Sequence, residues 1–136
     1  MTIVKAHPLP DKASLSGIRR QIRLELNRLR VDPSELFDCL VAVTEAGTHA
    51  LLHGMSQDRP PTVTWDIGRD VALFDVHDFG SKAWSRVSHP SRRDDHPDDA
   101  DRLGSYGLEI MRGLMDEVDI EVGPDGTHVR LVKRFS

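Results

Sequence analysis

The chain has 136 residues, room for one domain around one core. Apolar residues make up 38% and charged residues 29%, and 18 Lys+Arg stand against 22 Asp+Glu for a formal charge of −4, which excludes a nucleic-acid module built on a strongly basic surface. No apolar run approaches the ~20 residues of a membrane-spanning helix, the opening MTIVKAHPLP lacks the apolar stretch of a secretory signal, and the single Cys39 excludes an internal disulfide and a multi-cysteine zinc site. The expectation is a single domain over residues 1–136, cytoplasmic, with no membrane and no direct nucleic-acid partner.

In chain order, Ile3 to Ala6 reads as a short strand. Asp11 caps a helix to about Arg30, with Leu15, Ile18, Ile22, Leu26 and Leu29 as its buried stripe. Its outer face carries Arg19, Arg20, Arg23, Arg28 and Arg30, a solvated face or a surface for an acidic partner. Asp32-Pro33-Ser34-Glu35 is a helix start: Asp32 is the N-cap, Pro33 sits where a missing N–H costs nothing, and Glu35 completes a capping box. This second helix runs from Pro33 to about His53, with Leu36, Leu40, Val43, Gly47 and Leu51 inward and Gly54 as its stop. Thr62–Ile67 and Val71–Val76 are strands joined by the turn Gly68-Arg69-Asp70. Gly80 to Gly104 is poor in apolar residues and reads as a lid or binding loop. Gly107 to Met115 is a short helix. Val118–Val122 and Thr127–Phe135 are strands joined by Gly123-Pro124-Asp125-Gly126. The order β-α-α-β-β-loop-α-β-β predicts an α+β fold: a mostly antiparallel sheet with its helices on one face.

Three segments could carry chemistry. Glu45, His49 and His53 are four apart and share one helix face. A carboxylate beside two imidazoles can take up a proton or hold a metal; a polar, solvent-facing strip ending in a capping His53 has the same pattern. Gly47 in that helix points to close approach of another group or to tight packing, since glycine there costs about 1 kcal/mol against alanine. Asp78-Phe79-Gly80 places a carboxylate at a strand end, where ligands and turns both use Asp and Gly. Gly104-Ser105-Tyr106-Gly107-Leu108 reads as a glycine-bearing turn that opens a helix, where backbone N–H groups can receive an anion. No Gly-Lys-Ser/Thr follows, so it is not a Walker A loop.

The order and spacing of these three segments resemble the GHKL ATPase superfamily with its Bergerat ATP-binding fold. Within it the chain looks most like the anti-sigma-factor serine kinases. LVAVTEAGTHALLHG resembles their N-box, and GLEIMRGLMDEVDIEVGPDGTHVRLVKRF resembles their C-terminal third. The resemblance implies a two-layer α/β sandwich: a mostly antiparallel mixed sheet covered on one face by three helices. It implies a general-base role for Glu45 toward a seryl hydroxyl, and an ATP site at His49, Asp78, Gly80, Lys82, Gly104, Ser105, Tyr106, Gly107, Leu108 and Thr127. Asp78 matches the aspartate that reads adenine, Thr127 the threonine near adenine, and residues 80–104 the ATP lid. The implied cofactors are ATP and Mg²⁺. The implied partners are a sigma factor and an anti-anti-sigma antagonist as phosphorylation substrate, with a homodimer as in relatives.

Two positions depart from the pattern. His49 stands where an asparagine helps hold Mg²⁺, and Lys82 stands where the next glycine falls. Magnesium prefers hard oxygen ligands in octahedral geometry, whereas an imidazole favours softer metals. The competing readings are therefore a catalytically impaired, partner-binding regulator of the same fold, and a metal-responsive regulator using His49, His53 and Glu45.

Overall fold

A computed structural model describes residues 5–53, 59–80 and 99–136, with side chains throughout except at His53 and 99–106. The elements are β1 (His7–Pro8), α1 (Lys12–Arg28), α2 (Pro33–His53), β2 (Thr62–Ile67), β3 (Val71–Asp78), α3 (Asp99–Leu114), β4 (Glu117–Gly123) and β5 (Gly126–Arg134). The strands form one sheet in the order β1-β2-β3-β5-β4. All four described pairings are antiparallel, the extreme case of the mostly antiparallel sheet expected.

Local chemistry explains the helix starts. Asp11 accepts a hydrogen bond from Ser14 N–H at 2.9 Å and caps α1. Asp32 accepts from Ser34 N–H at 3.0 Å ahead of Pro33. Glu35 does not complete a capping box: its carboxylate instead accepts from the Ser136 backbone N–H (3.3 Å) and hydroxyl (3.1 Å), tying the chain's last residue to the start of α2.

Alternation along the strands builds the core. Ala72, Phe74, Val76 and Asp78 of β3 and Thr127, Val129 and Leu131 of β5 are buried. They meet Ile18, Ile22 and Leu26 of α1, Cys39, Leu40, Val43 and Ala46 of α2, and Met111 of α3. The opposite residues of β3 and β5, Leu73, Asp75, His77, His128 and Arg130, are half-buried or exposed. The helices thus cover one face and leave the other open, as period-2 alternation requires. Gly47 is buried at the α1–α2 contact, where an added Cβ would lie 2.9 Å from Leu15 Cδ1. Of the two explanations, tight packing accounts for it. Arg19 is likewise part-buried, while Arg20, Arg23, Arg28 and Arg30 are exposed.

Two boundaries differ from expectation. The first described strand is His7–Pro8, with His7 paired to Val63, and Lys5 and Ala6 fall outside it; the rest of the expected Ile3–Ala6 strand, Ile3 and Val4, lies outside the described residues. Proline is tolerated here because β1 is an edge. The His7 ring stacks on Trp65 at 4.2 Å, and Trp65 Nε1–H donates to Glu25 on α1. The second difference is α3, which begins at Asp99, eight residues before the expected start. A glycine within a helix costs only about 1 kcal/mol against alanine, so Gly104 does not stop α3. The expected loop 80–104 therefore ends in helix at residues 99–104, while 81–98 lie outside the described residues.

Candidate functional site

The site grows from the junction of β3 and β5. Register pairs Asp78 with Thr127, one step beyond the His77–His128 pair. Both Asp78 (1% exposed) and Thr127 (0%) point into the helix-covered side. The β4–β5 turn makes the junction tight. Gly126 has φ +113°, and a Cβ on it would lie 1.9 Å from the Asp78 carbonyl oxygen. Only glycine satisfies both the backbone angle and the contact. The sequence announces Gly126 as a turn residue; its second role, admitting the end of β3, needs the register.

Asp78 and Thr127 are unusual for buried polar groups. Asp78 Oδ1 accepts from Gly80 N–H at 3.1 Å. That bond favours the carboxylate, but burial dominates and pushes the Asp78 carboxyl up to about 6. The Thr127 hydroxyl has no hydrogen-bond partner among the described residues. Nearly all buried polar groups are satisfied, so a carboxylate and an unpartnered hydroxyl on paired residues mark a place where a ligand supplies what the protein does not. An exocyclic amine beside ring nitrogens, as adenine offers, matches an acceptor next to a hydroxyl that both donates and accepts.

α2 brings the second group. Glu45 is part-exposed and sits over α3: its Oε2 would be 3.2 Å from a Cβ on Gly107, which is buried. Leu108 packs against the core. His49, one turn beyond Glu45, is buried at 7% exposure, so the solvent-facing strip does not describe it. Gly104, Ser105 and Tyr106 lie inside α3 and not in a turn that opens it. An anion site at a helix start at 104–107 is therefore absent from the described residues, because the helix is already under way. Lys82 lies outside the described residues, and so does the side chain of His53.

The residues present do not fit Mg²⁺. The position that the resemblance gives to an oxygen ligand is the buried imidazole of His49, a poorer match for this hard cation. They fit the base of a nucleotide better than its metal.

The profile of the histidine kinase-like ATPase domain matches residues 9–133. Among solved structures, the chain is similar to the RsbU and RsbW domains of Rv1364c from Mycobacterium tuberculosis, with a TM-score of 0.71 and 20% identity over 98% of this chain and 33% of that one. It spans about a third of that chain's length, and at this identity the likeness is one of fold. No curated protein matches the chain. Among the described residues, no helix is long and apolar enough to cross a membrane.

Proposed function

This chain belongs to the histidine kinase-like ATPase domain family, and we propose that it is an ATP-binding anti-sigma factor whose adenine pocket is the Asp78–Thr127 junction. The observation that carries the reading is the pairing of a fully buried carboxylate with a buried, unpartnered hydroxyl beneath Gly126. Asp78 is to accept from the adenine amine. Thr127 is to bond a ring nitrogen directly or through water. Gly80 N–H holds the Asp78 carboxylate in place.

Glu45 is the candidate general base. It is part-exposed, on rigid helix, beside the α3 backbone at Gly107. In that role it takes the proton of a seryl hydroxyl on an anti-anti-sigma protein while the oxygen forms its bond to the γ-phosphorus and the bond to ADP breaks. The RsbW-containing structure supports a place in this kind of switch by fold. A sigma factor is the second partner, and a homodimer the assembly.

A second reading, a partner-binding regulator without kinase activity, is favoured by the buried His49. Calorimetric titration with ATP and ADP, with and without Mg²⁺, tests both. Micromolar binding that needs Mg²⁺ supports the kinase; binding indifferent to Mg²⁺ supports the regulator; no binding up to millimolar nucleotide removes the pocket assignment. His49→Asn restores an oxygen ligand and is expected to raise Mg²⁺-dependent binding or phosphorylation. If neither rises, His49 is not what limits the metal.

A further inference from the structure

Asp78 is aimed by its neighbours in the chain. Its Oδ1 accepts from the N–H of Gly80, two residues on, at 3.1 Å. That N–H belongs to the rigid peptide plane between Phe79 and Gly80, so the orientation of Phe79 decides where it points. Gly80 itself imposes little, because glycine adopts most backbone conformations. What holds Phe79 therefore holds the Asp78 carboxylate.

Phe79 is gripped on the open face of the sheet. Its ring tilts against His77 at 4.0 Å between centroids, with 46° between the planes. The Arg59 guanidinium caps it, 3.8 Å from the ring centroid. The support beneath is itself fixed. His77 stacks on His128 at 3.8 Å with 19° between their planes. His77 Nε2–H donates to the Asp125 carbonyl at 3.1 Å, and His128 Nδ1–H donates to Asp75 at 2.9 Å. On the main-chain side, a Cβ on Gly126 would lie 2.9 Å from Phe79 Cα, so the start of β5 is packed directly against this residue. Ring and Cα are thus both held. Phe79 is no core residue: it does not pack against the buried cluster, and period-2 alternation sends it away from the helices. A half-buried aromatic ring in that position, capped by an arginine, serves something other than the core.

We propose that Phe79 is a positioning residue for nucleotide binding: its ring, held between His77 and Arg59, sets the Gly80 N–H that orients the Asp78 carboxylate. The proposal rests on the nucleotide reading of Asp78 and Thr127. Phe79 and Asp78 face opposite sides of the sheet, so Phe79 acts through the backbone and not by touching the base. An acceptor already oriented binds without first giving up rotational freedom, whereas a carboxylate that turns freely must be ordered by the ligand at a cost in affinity. Removing the ring frees the Phe79–Gly80 peptide and, with it, the hydrogen bond that orients Asp78.

The test combines ATP calorimetry with NMR of the Gly80 amide and the Asp78 carboxyl. Phe79→Ala should bind ATP about tenfold more weakly, the combined worth of an aromatic pair and a cation–ring contact. Phe79→Tyr keeps the flat ring and should restore binding. Arg59→Gln removes only the cap and should weaken binding about two- to fivefold; an unchanged value overturns its part in the grip. In the wild-type protein the Gly80 amide signal should share one midpoint with the Asp78 carboxyl as the latter titrates at about 6. In Phe79→Ala the two signals should part, whereas a purely structural loss would lower the melting temperature and leave them coupled. Wild-type affinity in Phe79→Ala overturns the proposal, and so does weaker binding with the coupling intact. If Phe79→Ala does not fold, Phe79→Leu, which keeps apolar bulk and loses the flat face, takes its place under the same two readings. The NMR readout needs no nucleotide. A protein that binds no ATP but loses the coupling in Phe79→Ala thus refutes the pocket and keeps Phe79 as the residue that orients Asp78.

Discussion

The two ends of the β3–β5 pair bury charge in opposite ways. At one end Lys133, facing the helices, donates to Asp38 of α2 at 3.0 Å and to the Leu114 carbonyl at the close of α3 at 2.6 Å. Its side chain is 12% exposed and its partner's 25%. The charge is matched, and the contact bolts the sheet to two helices. At the other end Asp78 is buried with one backbone N–H, beside a hydroxyl with no partner among the described residues. Sheet and face are the same; depth and hydrogen-bond accounting differ. Saturated polar groups hold the fold together, while unsaturated ones cost stability that a ligand must return. The adjacent Cys39 belongs to the saturated end: burial pushes its thiol up to about 12, so it behaves as a small core residue.

Substitutions at the two ends should therefore have opposite signs. The largest effect is expected from Asp78→Asn. Folding raises the Asp78 carboxyl from 3.8 to about 6, so the native state binds a proton more readily than the unfolded chain. The carboxylate then costs nothing below about pH 4, and the cost grows as pH rises through 6. Asparagine, which still accepts from Gly80, should stabilise the protein at pH 7.5 by on the order of 2–3 kcal/mol. The gain should vanish below pH 4, and ATP affinity should drop tenfold or more. Denaturant unfolding at the two pH values, with calorimetry, checks both. A variant that loses stability and keeps its affinity would place Asp78 with the structural groups. Lys133→Met should do the reverse: about 2 kcal/mol of stability lost at neutral pH, because Asp38 stays behind unpaired, with ATP affinity unchanged. A matching loss of affinity would show that the two ends are not independent.

The same contrast governs what the sequence discloses. The bounds of α2 are legible because capping at Asp32 and Pro33 is local chemistry. The strands around Gly68 and Gly123-Pro124-Asp125-Gly126 are legible for the same reason. The start of α3 is not, since Gly104 and Gly107 carry the composition of a turn while the helix runs through them. The strand at His7–Pro8 is not legible, because register with Val63 selects it and a proline carries no strand signal. In the site, Asp78 is visible as an aspartate at a strand end, and the order of three weak motifs lends it weight. The unpartnered state of Thr127 is invisible, because it arises only when β3 and β5 close and Gly126 packs on Asp78. The His77–His128 stack escapes for a similar reason. Alternation predicts that each ring faces outward, but 51 residues separate them and only the register makes them neighbours.

The smallest expected effect is the sharpest test of the comparison. Thr127→Val keeps the shape and removes the hydroxyl. A threonine hydroxyl that bonds within the protein costs about 1 kcal/mol to delete, whereas one buried without a partner costs nothing or less. The unsaturated end therefore predicts a variant as stable as wild type, or more stable by up to about 1 kcal/mol. If that hydroxyl bonds adenine, affinity should fall about three- to tenfold, the worth of one neutral hydrogen bond. Combined with Asp78→Asn, the two affinity losses should not add, because both groups face one ligand edge. A destabilised valine variant with full affinity would mean that the hydroxyl serves the fold, and the contrast between the ends would then rest on Asp78 alone.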